Sequence, residues 1–147
     1  MIEKSQHRPI EWPTIAVIGL VYAVLGSLVW FHAQLPWWLI LPIGAYFAAL
    51  HTSLQHEVLH GHPTRNGTLN EALIFLTPTM WLPFQRYKET HLTHHNNAHL
   101  TDPDIDPESY YLLPNHWAEI AGIKRVLFHI NQTLGGRMLI GPAVGIV

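Results

Sequence analysis

Two long stretches of the chain, Thr14–Phe31 and Trp37–Leu54, are mostly apolar and hold no Asp, Glu, Lys or Arg. Only His32-Ala33-Gln34-Leu35-Pro36 separates them. Each approaches the roughly 20 residues that a helix needs to cross about 30 Å of hydrocarbon. The pattern predicts a transmembrane helical hairpin, with spans at about 14–31 and 37–54. Trp12 and Trp30 stand near the ends of the first span, where indole rings favour the membrane–water boundary. A secretory signal peptide fits less well, because the apolar run is long and no clear small-residue cleavage site follows it.

The rest of the chain is patterned differently. Between Glu71 and Phe84 a short apolar run, Ala72 to Leu76, is followed by Pro78 and Pro83. It is too short for a span and suits an interfacial or re-entrant segment. Ile123, Val126, Leu127, Ile130 and Leu134 recur at helical spacing, with Lys124 and Arg125 on another face. That is the pattern of a helix lying on a membrane surface. A new apolar run begins near 138 and continues to 147, as expected if the chain is the N-terminal portion of a longer protein. The predicted fold class is an all-α membrane protein: a hairpin with helix extensions into the cytosol and one interfacial helix, residues 1–147 forming a single portion of one domain.

Composition supports this class. Hydrophobic residues make up 48% of the chain and charged residues 12%, about half the charged fraction of a soluble domain. The net charge of −2 comes without a block of like charges, so nucleic acid is not an expected partner. Lys4 and Arg8 precede the first span, Arg65, Arg86 and Lys88 follow the second, and the connecting loop has no cation. Lys and Arg favour the cytosolic side, so the N-terminus and everything just past the second span are expected there.

Two histidine clusters fall in that cytosolic region, His56-Glu57-Val58-Leu59-His60 and His91-Leu92-Thr93-His94-His95. Residues four apart share a helix face, so His56 and His60 can address one metal, as can His91 and His95, with His94 close by. The chain has no cysteine, which leaves imidazole and carboxylate as ligands for any transition metal. At about 1.5 Å per residue, a helix entering at Trp37 emerges near His56, and Gly61 before Pro63 predicts its end. His51 faces elsewhere and reads as a packed or hydrogen-bonded histidine. His62 and His99 are at most auxiliary ligands, the latter only if the second helix runs on through Asn96 and Asn97.

His56 to His60 also satisfies H-E-x-x-H, in which two histidines bind zinc and the glutamate acts as base. A protease of that kind leaves His91, His94 and His95 unexplained. A carboxylate di-iron bundle needs two Glu-x-x-His elements, and Glu57 to His60 is the one such element here. Asp102, Asp104 and Asp106 begin like a calcium loop, but Pro107 stands where the loop requires Gly and Leu113 where it requires Glu. They read as a turn bonded to nearby imidazoles.

His56-x-x-x-His60 after a membrane hairpin, His91-x-x-His94-His95 further on, and Asp102-Pro103-Asp104-Ile105-Asp106-Pro107-Glu108 after that together resemble the integral-membrane fatty acid desaturases and their hydroxylase relatives. The likeness covers roughly Trp37 to Tyr111. It implies two irons that use O₂ to remove hydrogens from an acyl chain, with His56, His60, His91, His94 and His95 as ligands. Glu57, Asp102 and Asp106 would orient imidazoles or balance charge. The substrate would be a fatty acyl group on lipid, coenzyme A or acyl carrier protein. Electrons would come from a separate donor such as a ferredoxin or cytochrome b5, since no cytochrome b5 sequence is present. The family's third box, another His-x-x-His-His, is not found after His95, so the chain alone is expected to be inactive. Two other functions compete: a membrane zinc metalloprotease built on His56, Glu57 and His60, and a non-catalytic membrane protein that binds metal. Hydroxylation of a fatty acid, alkane or carotenoid is the nearest variant of the desaturase reading.

Overall fold

The computed structural model describes residues 9–78 and 83–141, and every regular element among them is helical. Lys4 and Arg8, which entered the orientation argument, and the apolar run 142–147 lie outside the described residues. Seven helices are seen: α1 Trp12–Trp30, α2 Trp37–Leu59, α3 Gly67–Leu73, α4 Phe84–His95, α5 Pro114–Glu119, α6 Gly122–Asn131 and α7 Leu134–Leu139. The chain divides into two compact units, Met1–Glu89 and Thr90–Val147. The boundary falls inside α4.

In the first unit α1 and α2 are the two predicted spans. Both are long and apolar enough to cross a membrane, with mean hydropathy 1.9 and 1.3 over their best windows. Only 17% and 11% of those windows are buried. A core helix of a soluble protein would hide most of its surface; these expose theirs, Trp37, Trp38 and Tyr46 included, as lipid-facing helices do. Hydroxyls within the hairpin are satisfied locally. Ser27 Oγ donates to the Ala23 carbonyl at 2.7 Å and Thr52 Oγ1 to that of Ala48 at 3.3 Å, which suits a medium without water. Pro13 occupies the first turn of α1, where its missing N–H costs no hydrogen bond. Pro42 lies inside α2, but the carbonyl it cannot serve, that of Trp38, belongs to the first turn.

The buried core of this unit runs along one stripe of each span. Ile18 and Val21 from α1 meet Leu54 and Val58 from α2, with Ile74 after α3; Phe47, Leu50 and Phe84 pack against them. Phe47, Leu50, Leu54 and Val58 follow the three-and-four spacing of one helical face. Ile74 thus leaves the predicted interfacial run for the core, while Phe75 and Leu76 stay exposed. Asn70, fully buried, accepts from the N–H and hydroxyl of Thr64 at 2.9 and 2.6 Å and donates to its carbonyl at 2.9 Å. Lys88 Nζ reaches Glu71 Oε1 at 2.7 Å and ties the start of α4 to α3.

α2 ends where Gly61 predicts. The N–H of His62 bonds the Glu57 carbonyl at 3.2 Å and the N–H of Gly61 that of Val58 at 2.9 Å. This Schellman pair needs a left-handed residue, and Gly61 has φ +88°. The end of the helix is further clamped to the start of α1, because Glu11 N–H bonds the Pro63 carbonyl at 3.1 Å and the Glu11 carboxylate meets His62 Nδ1 at 2.5 Å.

In the second unit α6 and α7 turn tightly about Gly136. A Cβ there would lie 1.8 Å from the Ile130 carbonyl oxygen, and Thr133 caps α7 by accepting from Gly136 N–H at 3.0 Å. The amphipathic pattern over 120–134 is therefore split: α6 stops at Asn131 and Leu134 opens the next helix. Two glycine substitutions separate strain from clash. Gly61→Ala should cost about 1–2 kcal/mol of stability, the ordinary penalty of a left-handed L-residue, because nothing lies within 4 Å of its Cβ. Gly136→Ala should cost more, since backbone must move. Thermal unfolding in detergent by circular dichroism measures both, and equal losses would contradict this.

Candidate metal centre

The first histidine pair rides on the last turn of α2. His56 and His60 stack edge to face with ring centroids 4.7 Å apart, as the four-residue spacing requires. Glu57 lies on another side of the helix, its Oε1 3.7 Å from His56 Nδ1. His56 and Glu57 line a cleft of about 480 Å³ with Ala49, Thr52, Ser53 and Tyr87. Tyr87 belongs to the first half of α4.

The second cluster is built by the end of α4 and the loop after it. His91 and His95 stack at 4.5 Å between centroids, with their Nε2 atoms 3.0 Å apart. Two nitrogens bound to one metal at about 2.1 Å and at right angles stand about 3.0 Å apart, so the pair has the separation of neighbouring ligands. His94 turns its Nδ1 to Asp106, at 2.8 and 2.9 Å from the two carboxylate oxygens. His91 turns its Nδ1 to Glu108 Oε1 at 2.9 Å. A ring that donates Nδ1–H to a carboxylate keeps Nε2 as the lone-pair nitrogen, and metal-binding histidines are held in this way. By type and exposure His56, His60, His91 and His95 are all able to hold a metal.

Asp106 is the hub of the loop. Besides His94 it accepts from the backbone N–H of Thr101 at 2.9 Å and of Glu108 at 3.0 Å, and it is buried. Thr101 takes a left-handed φ of 71° to allow this. Asp102 accepts from the N–H of Asp104 at 2.9 Å and so shapes the turn. Glu108 is the residue that sequence reasoning passed over. It stood in the quoted motif, but only folding the loop back on α4 shows that it reaches His91.

Other histidines take other places. His51 is fully buried in the hairpin, its Nε2 3.2 Å from the Tyr22 hydroxyl. His62 pairs with Glu11. α4 stops at His95, so the continuation that would have put His99 on the face of His91 and His95 does not occur.

The family profile described as "Fatty acid desaturase" matches residues 32–143. The chain belongs to the fatty acid desaturase family. A dihydrorhizobitoxine desaturase from Bradyrhizobium elkanii is 31% identical over 144 residues, covering 92% of this chain and 40% of that protein. The chain thus spans less than half the length of this curated desaturase. No solved structure matches it.

The hydrogen bond from His94 to Asp106, with the negative charges of Asp106 and Glu108, raises the His94 pKa above the ordinary imidazole value. Burial alone would raise Asp106, but bonds from Thr101 N–H, His94 and Glu108 N–H outweigh it and hold the carboxyl below its ordinary value. In the metal-free chain the pair's stabilisation is therefore lost as pH rises through the raised His94 value. It is lost at the other end as pH falls through the lowered Asp106 value. Asp106→Asn should return His94 towards ordinary titration, read by NMR of its ring protons; an unchanged His94 would show that the carboxylate does not control it.

Proposed function

We propose that the chain carries part of the di-iron centre of a membrane-bound fatty acid desaturase, with His56, His60, His91, His94 and His95 as iron ligands. The observation that carries this is the carboxylate backing of the second box: Glu108 holds His91 by Nδ1 and Asp106 holds His94 by Nδ1, as carboxylates hold metal-ligating imidazoles. The donor set fits iron, being wholly imidazole with carboxylate support and no thiolate. The first box forms the last turn of a helix whose end Gly61 fixes, which holds that pair rigid. Iron bound by these residues supplies O₂ activation and removal of hydrogen from an unactivated acyl carbon.

The chain's own residues do the positioning. Asp106 and Glu108 fix the tautomer and aim of His94 and His91, and the bonds to Thr101 and Glu108 N–H keep Asp106 from turning away. The first box extends an apolar helix long enough to cross a membrane, and the lipid around such a helix is the source of an acyl substrate. Five imidazoles fall short of two full iron coordination spheres, so further ligands must come from other residues. The N-terminus and boxes lie on the cytosolic side by the distribution of Lys and Arg, where a separate ferredoxin or cytochrome b5 can deliver electrons. The family assignment favours this reading over the zinc protease, which uses only His56, Glu57 and His60.

Purified full-length protein should contain iron and desaturate an acyl substrate in the presence of O₂ and an electron donor. His94→Ala should remove at least most of both. Glu57→Gln should leave substantial desaturation, whereas a protease would lose its activity on that change. Glu108→Ala should weaken metal binding by about 10–100-fold, the usual effect of losing a carboxylate behind a ligand, measured by competition with a chelator. Iron-free protein, or full desaturation by His94→Ala, would rule the proposal out.

A further inference from the structure

The best amphipathic helix in the chain faces the wrong way for a water-soluble domain. α6 turns its mixed face inward: the Arg125 guanidinium lies 5.1 Å over the Trp117 ring and donates to the Trp117 carbonyl at 2.9 Å. Phe128 and His129 also meet that ring, at centroid distances of 6.3 and 5.3 Å. The apolar face is left outward, with Ile123 70%, Val126 50% and Ile130 43% exposed. It continues onto α7, where Leu134 and Met138 are 78% and 73% exposed. A soluble domain seldom leaves so continuous an apolar strip uncovered.

The charges around the strip indicate what covers it. Residues 109–141 contain Lys124, Arg125 and Arg137 against the single acid Glu119. Lys124, exposed, stands about 100° round the helix from Ile123, the border position from which a long cation reaches past an apolar layer to its polar edge. Arg137 is also exposed, its guanidinium 4.7 Å over the Tyr110 ring. An apolar strip edged by cations and aromatic rings matches the boundary of an anionic bilayer.

We propose that the α6–α7 corner docks on the membrane, with Ile123, Val126, Ile130, Leu134 and Met138 among the acyl chains and Lys124 and Arg137 at anionic headgroups. This rests on reading the chain as a membrane protein, and it adds a third, in-plane attachment beyond the two spans. It assigns to this corner a preference for acidic phospholipid.

The absence of cysteine in this chain makes spin labelling direct. Single cysteines at Ile123, Ile130 and Leu134 are labelled in the full chain, reconstituted in nanodiscs of phosphatidylcholine with or without phosphatidylglycerol. Labels at Leu20 in α1 and Asn115 in α5 serve as lipid and water references. The three corner labels should be more accessible to oxygen than to a nickel chelate, at a depth of about 5–10 Å. Lys124→Glu combined with Arg137→Glu should move them outward in phosphatidylglycerol discs and leave them unmoved in phosphatidylcholine alone. Nickel access equal to that at Asn115 would overturn the docking. Shielding from both reagents would also overturn it, showing that protein covers the strip. An unchanged depth after the double charge reversal would overturn the acidic-lipid preference. Loss of oxygen access at Leu20 would instead show that the membrane reading itself fails.

Discussion

The shortage of polar side chains along the two apolar stretches is the constraint from which the rest of this structure follows. Backbone groups in so apolar a segment pair within it, so the two stretches become helices, and their hydroxyls bond back to carbonyls one turn earlier. A helix that must cross about 30 Å reaches the far surface after roughly 20 residues. The four residues from His56 to Leu59 are the end of that same helix, so the first box inherits the rigidity of the span. Gly61 stops the helix, and the clamp between Glu11 and the His62–Pro63 segment fixes where it stops.

The second box is made rigid by other means. α4 begins against the core through Phe84 and is tied to α3 through Lys88 and Glu71, but its histidines lie at its far end, where a helix frays. The loop from Thr101 to Glu108 compensates. One buried carboxylate, Asp106, gathers two backbone N–H groups and one imidazole, and Glu108 takes a second imidazole. The strained φ of Thr101 is the conformational cost of closing this loop. What looks in sequence like the start of a calcium loop is a brace for two imidazoles.

Much of the fold could be read along the chain because its determinants are local. Apolar length gave both spans, starting within two residues of where α1 and α2 begin, and four-residue spacing gave the stacked pairs His56–His60 and His91–His95. The resemblance to membrane desaturases, drawn from the two boxes and the aspartate run, agrees with the family to which the chain belongs. The pairings that were not legible join residues far apart: Glu11 with His62, Tyr22 with His51, and Glu108 with His91. Periodicity carries no information about such contacts. The split of the 120–134 pattern at Asn131 was likewise hidden, since Gly136 tolerates the close approach to Ile130 that turns α6 into α7, and only the backbone path reveals it.

The central claim, that these histidines hold iron, is tested most directly by X-ray absorption at the iron edge of the purified full-length protein. The account predicts a first shell of nitrogen and oxygen with the outer-shell scattering of several imidazoles, diminished in His91→Ala and His95→Ala. A spectrum without imidazole scattering, or one unchanged by both substitutions, would contradict it.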